Sequence, residues 1–313
     1  MSYHGYSVQA LRQLLEEKSR RLIQCDEHAF ISGIEEIAEI LRRLEPPTSS
    51  LLQAVDIKGQ DYATYYFAAF SDTGDLESSL SVYRYVRDLV RVIVLMDRYF
   101  EVGNERYRRR GRALISRLRN EDGELLRNII DFNLKQFWPF WKYEQHTRKL
   151  MMHGHLFSIS EVKCFNLFKS SDAAIIYAPL LEGLLTGFEK NASLIIHYNQ
   201  ALQDIEDDLD DIKEDLRDQM PNVFILASVG RDDLTSYTKL QRHKTNGSEA
   251  AIIERATPTI LKIVEMYLSA IDGIEVPESL KFLKHLTRHY ADRISHKLES
   301  EVRTFHGLAA AQS

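Results

Sequence analysis

Between Asp204 and Asp218 the chain places nine carboxylates in fifteen residues, with only Lys213 and Arg217 to offset them. Nine minus two gives this segment a net charge of −7, against −6 for the whole chain. A run this acidic ordinarily repels itself into disorder. This one also spaces Ile205, Leu209, Ile212 and Leu216 as a helical apolar stripe, so it has a face to bury. At about 100° per residue, Asp204, Asp208, Asp211 and Asp215 form a second stripe beside the first, and His197 and Ala201 continue it toward the N-terminus. Carboxylates stacked one turn apart repel unless cations lie among them. Oxygen ligands at this density suit Mg2+, which takes one or two carboxylates with water and substrate phosphates. The stripe beside the buried face offers Asp204, Asp208, Asp211 and Asp215 as candidate ligands. Glu206, Asp207 and Asp210 are expected to turn toward solvent. The plainer alternative is an acidic solvent face with a few i, i+4 ion pairs.

A second pair of carboxylates closes the helical pattern that ends near Val102. Val86, Val90, Ile93 and Val94 make an apolar stripe, and Asp97 and Glu101 extend it one turn apart. Charged residues on a core face are rare unless paired or bound to metal, so the two read as a cavity signal. The alternative is a helix that has left the core by Asp97. Seven arginines follow between Arg106 and Arg119. Guanidinium forks suit phosphate oxygens, although a solvated basic face would look the same. There is no Gly-rich phosphate loop, G-x-S-x-G elbow or H-E-x-x-H pair.

These residues resemble the class I isoprenoid synthases. Ala201-Leu202-Gln203, then Glu206-Asp207 and Asp210, is similar to the A-F-Q-x-x-D-D-x-x-D of trans-isoprenyl diphosphate synthases. In another register, Asp211-Ile212-Lys213-Glu214-Asp215 is similar to the D-x-x-E-D of squalene and phytoene synthases. The stretch from Leu95 to Gly111 resembles a departed first motif, with Asp97 and Glu101 for three aspartates and Arg109-Arg110-Gly111 downstream. The glycine-bearing stretch from Tyr177 to Phe188 is similar to a helix that kinks beside substrate in squalene and phytoene synthases.

The resemblance implies one all-α domain over residues 1–313, about ten helices surrounding a central cavity. It implies a Mg2+ site drawn from Asp97, Glu101, Asp204, Asp207, Asp208, Asp211 and Asp215, with Asp97, Glu101, Asp211 and Asp215 catalytic. Arg109, Arg110 and Lys213 would hold the diphosphate of a prenyl substrate. Arg288, Arg293 and Lys297 are further candidates to reach that diphosphate. The implied reaction ionises the prenyl diphosphate, and the allylic cation is coupled or cyclised, as a transferase or a lyase does. The departed first motif equally suits a non-catalytic partner or regulatory subunit of the same fold. A helical scaffold whose acidic helix docks a basic partner is the reading outside this family. A homodimer is compatible with the resemblance.

The elements that must position these groups read as helices almost throughout. The chain is 44% hydrophobic and 27% charged, with 14 Gly and 7 Pro, a balance that suits a globular protein. Helical periodicity covers 7–24, 28–44, 50–70, 76–102, 123–152 with an expected kink or interruption at Pro139, 160–217, 248–270 and 277–307. Mild acidity argues against nucleic acid as a partner. No stretch approaches the roughly 18 apolar residues of a membrane span. Cys25 and Cys164 make no metal-type spacing, and with no leader-like N-terminus they suit a reducing cytoplasm. Phe132, Phe137, Trp138, Phe140, Trp141 and Tyr143 read as a core cluster or as the lining of an isoprenoid pocket.

Overall fold

The computed structural model describes residues 6–22, 27–46, 63–64, 67, 76–121, 124–170, 190–228, 248–276 and 281–311. Among the described residues the fold is all-α. The ten helices are α1 (Val8–Leu22), α2 (Glu27–Leu44), α3 (Leu76–Val102), α4 (Glu105–Glu121), α5 (Glu124–Met152), α6 (Ile159–Lys169), α7 (Lys190–Asp218), α8 (Val223–Ser228), α9 (Ser248–Asp272) and α10 (Lys281–Ala311). No described helix is long and apolar enough to cross a membrane. The Tyr177–Phe188 stretch lies outside the described residues. Helix α5 runs from Glu124 to Met152 with Pro139 inside it, so the helix is not interrupted there.

Two compact units make up the chain. The first comprises residues 1–130 and 277–282. Within it α1 packs on α2, and α3 packs on α4. Its core includes Leu15, Ile37, Leu41, Tyr83, Val86, Leu89 and Leu118. Gly103 stops α3 as the sequence suggests, taking a left-handed φ of 69° while its N–H bonds the Tyr99 carbonyl at 2.8 Å. Gly111 is buried on α4, and a methyl group there would meet Met96 Sδ at 3.3 Å, so glycine permits the close approach of α3 and α4. A buried charge cluster sits on α3. Asp88 accepts from Arg87 at 3.1 Å, from Arg91 at 2.6 Å and from Arg117, while Glu45 accepts from Arg84 at 2.8 Å and Arg87 at 3.2 Å.

The second unit comprises residues 131–276 and 283–313. Here α6, α7, α8 and α9 pack on one another. Its core includes Val162, Phe165, Ile195, Ile205, Ile212, Phe224, Ile260, Tyr267, Ile294 and Leu298. Helix α6 begins at a reciprocal capping box. Ser158 Oγ accepts the Glu161 N–H at 3.3 Å, and Glu161 accepts the Ser158 N–H at 2.7 Å. That start sets the register of α6, which ends eleven residues later at Lys169.

Candidate functional site

The acidic segment is the C-terminal half of α7, and its apolar stripe is buried as the periodicity requires. Ile205, Leu209 and Ile212 are buried and Leu216 is half-buried. Helix α6 lies along one flank and is joined to it by a ladder of polar contacts. His197 Nε2–H donates to the Leu167 carbonyl at 2.7 Å, and Asn166 Nδ2 donates to the Ala201 carbonyl at 3.0 Å. Burial lowers the affinity of the His197 ring for a second proton. Tyr267 of α9 closes the ladder by donating to Asn166 Oδ1 at 2.7 Å.

The next rungs hold carboxylates. Lys169 Nζ donates to Asp208 Oδ1 at 2.6 Å, and the other Asp208 oxygen accepts the Val223 N–H at 2.9 Å. Asp208 is therefore both an ion-pair partner and the acceptor for the first N–H of α8. Burial pulls the Lys169 ammonium toward its neutral form, but the Asp208 and Asp204 carboxylates outweigh that effect and hold it well above its ordinary value. Asp204 accepts from Gln200 at 2.8 Å and lies 2.6 Å from Ser170 Oγ, which is also 2.7 Å from the Asn166 carbonyl. One hydroxyl proton cannot serve both oxygens, and a proton on Asp204 would satisfy both contacts. Burial raises the Asp204 pKa, against the opposing pull of Lys169 and Ser170.

Asp215 completes this flank. Asn222 Nδ2 donates to Asp215 Oδ2 at 2.8 Å and to the Asp208 carbonyl at 2.6 Å, while Asn222 Oδ1 accepts the Phe224 N–H at 2.9 Å. Burial pushes the Asp215 carboxyl up to about 7; Asn222 opposes the shift, and the nearby Asp208 charge adds to it. The helix closes behind it with Gln219 at a φ of 61° and the Met220 N–H on the Asp215 carbonyl at 2.8 Å.

The opposite flank corrects one expectation. Glu206 is buried rather than solvated, at 6% exposed. It accepts from Arg293 at 2.7 Å and Lys297 at 2.8 Å, both on α10, and Lys297 also reaches Asp210 at 3.1 Å. Arg293 and Lys297 thus serve carboxylates of α7, while Arg288 binds Asp272 at 2.7 Å. Asp210 is exposed, as expected, and Asp207 is half-buried.

Asp211 is exposed, although it was expected beside the buried stripe. The cause is angular. The apolar stripe centres between Leu209 and Ile212, and about 100° per residue puts Asp208 roughly 70° from that centre, Asp215 roughly 90°, Asp204 roughly 110° and Asp211 roughly 130°. Asp211 is the outermost of the four. Lys213 is also exposed.

The remaining candidates belong to the first unit. Asp97 and Glu101 lie in the last two turns of α3, and their side chains are outside the described residues. Arg109 is exposed and Arg110 half-buried on α4. Of the aromatic cluster on α5, the side chains of Phe132, Phe137 and Trp138 are outside the described residues. Tyr143 packs against Phe165 and Phe168, with ring centroids at 6.3 Å and 4.2 Å, and Phe140 meets Phe168 at 5.1 Å, so this part of the cluster joins α5 to α6.

Lys169, Ser170 and Asn222 were not among the expected site residues. The S-x-x-E at Ser158–Glu161 marks the start of α6 and so bears on Lys169, but nothing in the sequence pairs Lys169 with Asp208, thirty-nine positions away. Among the described residues no three His, Cys, Asp or Glu side chains converge as a metal site. No family model, curated protein or solved structure matches this chain.

Proposed function

We propose that this chain has a class I isoprenoid synthase-like fold and ionises a prenyl diphosphate with the help of Mg2+. The observation that carries this reading is the state of Asp215. Its carboxyl is half-buried, pushed up to about 7, and hydrogen-bonded by the neutral Asn222. A carboxyl in that condition gains from a cation beside it. Asp211 stands one turn away and exposed, and the pair supplies the one or two protein carboxylates that Mg2+ commonly takes. Asp204 and Asp208 suit the role less, because Ser170, Gln200, Lys169 and the Val223 N–H occupy their oxygens.

In this reading Asp211 and Asp215 hold the ion from α7, and Asp207 stands near on the same helix. Lys213, on the same helix, binds the diphosphate oxygens. Bound Mg2+ would neutralise the leaving diphosphate. The apolar residues would then keep water from the allylic cation until a second prenyl chain or an internal double bond captures it.

The test is pyrophosphate release by the purified chain with Mg2+ and farnesyl or geranylgeranyl diphosphate. Release is expected, with losses of about a hundredfold or more in Asp211→Asn and Asp215→Asn. No release with any prenyl donor overturns the enzymatic reading.

A second reading, a non-catalytic partner of the same fold, draws on a different observation. Asp208, Glu206 and Asp210 already have protein cations in Lys169, Arg293 and Lys297. A helix neutralised in this way has less need of metal. An intact fold with neither Mg2+ binding nor turnover would favour it.

A further inference from the structure

The last third of α5 carries a groove of about 470 Å3 lined by Lys142, Gln145, His146, Arg148, Lys149 and Met152. That volume falls within the ~300–1,000 Å3 of small-ligand clefts. None of the six lining residues is acidic. On some exposed helical faces an acid stands one turn from a cation, as in Arg20–Glu16, Arg21–Glu17 and Arg303–Glu299. Here the positions three and four away from His146 and Lys149, on either side, hold no Asp or Glu. Glu144 is the one acid between Lys142 and His153, and its charge acts on Lys169 of α6. Arg148 acts on the Asp218 carboxylate at the end of α7, and basic side chains still outnumber acids along this face, an arrangement that a helix tolerates best with an anion against it.

The positions are also partly set in advance. Arg148 Nη2 donates to the Asp218 carbonyl at the end of α7 at 3.1 Å, which fixes the guanidinium at the edge of the groove. Lys142 and Lys149 stand seven residues apart, or about 10 Å along the axis at ~1.5 Å per residue. That span exceeds a single phosphate and suits two linked ones. Met152 and the lysine stems offer apolar surface beside the charged heads.

We propose that this groove binds the diphosphate group of a small organic molecule without a metal ion. Lys142, Arg148 and Lys149 meet the phosphate oxygens, Gln145 donates a hydrogen bond, and Met152 contacts the organic portion. A nucleoside diphosphate and a prenyl diphosphate carry the same head, so the organic portion decides between them. The proposal does not depend on the carboxylates of α7.

The experiment is calorimetric titration of the full chain in EDTA at about 150 mM salt, where long-range attraction is screened. Inorganic pyrophosphate, ADP and farnesyl diphosphate are the three probes. One saturable site for pyrophosphate is expected, tightened by whichever organic group the groove accepts. Lys149→Glu should weaken it about tenfold or more, the loss expected for a charged hydrogen bond. Arg303→Glu makes the same charge change on α10 and should leave affinity unchanged. Equal weakening by both variants, or no saturable binding of any probe, overturns the site. Binding that appears only when Mg2+ replaces EDTA belongs to the α7 carboxylates and also overturns it.

Discussion

The two flanks of α7 carry the same kind of residue and balance it differently. On the flank facing α6 and α8, Asp204, Asp208 and Asp215 share one cation among the described residues, Lys169, and their remaining partners are the neutral Ser170, Gln200, Asn222 and a backbone N–H. On the flank facing α10, Glu206 and Asp210 have two cations, Arg293 and Lys297. The first flank is short of positive charge and the second is not. Burial answers the shortage by favouring protonated carboxyls, which is why Asp204 and Asp215 both shift upward. A proton and a divalent cation are alternative remedies for the same deficit, and the proposed Mg2+ site at Asp211 and Asp215 rests on that equivalence.

The largest expected effect tests Lys169, the one cation on the first flank among the described residues. Lys169→Met leaves Asp208 buried without its partner and should destabilise the fold by about 3–5 kcal/mol, measured by chemical denaturation. Removing both charges in Lys169→Met/Asp208→Asn should recover much of that loss. A cost below about 1 kcal/mol for the single variant would break the contrast between the flanks.

The pH dependence comes next. Asp215 holds its proton in the folded state up to about 7, whereas an unfolded aspartate releases it near ~3.9. The folded state then binds more protons across that interval, so this contribution to stability is full below ~3.9 and is lost as pH rises through about 7. With solvent screening the change amounts to about 2 kcal/mol. Asp215→Asn should flatten the decline between pH 5 and 8, measured by thermal unfolding. Added Mg2+ should flatten it too if the ion sits on Asp215, and a slope indifferent to Mg2+ would count against the metal reading. Glu161, held down to about 2 by Ser158 and His155, acts in the other direction and only in acid, where its contribution is lost as pH falls through about 2.

The smallest effect belongs to the balanced flank. Glu206→Gln leaves Arg293 and Lys297 46% and 37% exposed and able to find water. The cost should be about 1 kcal/mol and should shrink in high salt. A loss as large as that of Lys169→Met would show that the flanks are equivalent.

Much of the fold was legible because helices announce themselves through neighbours a turn apart. Helix α3 begins at Leu76 and ends at Val102 where its apolar pattern and Gly103 place the limits. Pro139 does not interrupt α5, which runs from Glu124 to Met152 with the proline inside it. The site was legible only in part. The apolar stripe of α7 was correctly oriented, but Asp211 was treated as level with Asp208 although the two stand roughly 60° apart around the helix. Glu206 looked solvent-facing because one helix viewed alone does not show that another will cover its far side.

The sequence by itself determined that this chain is helical, that α7 must bury one face, and that its carboxylates would crowd the borders of that face. All three follow from periodicity and charge within a few turns. Only the tertiary structure decided which carboxylates receive cations. Lys169 meets Asp208 across thirty-nine positions, and Arg293 meets Glu206 across eighty-seven. Such pairings are set by how helices dock, and burial then magnifies each charge they leave uncompensated.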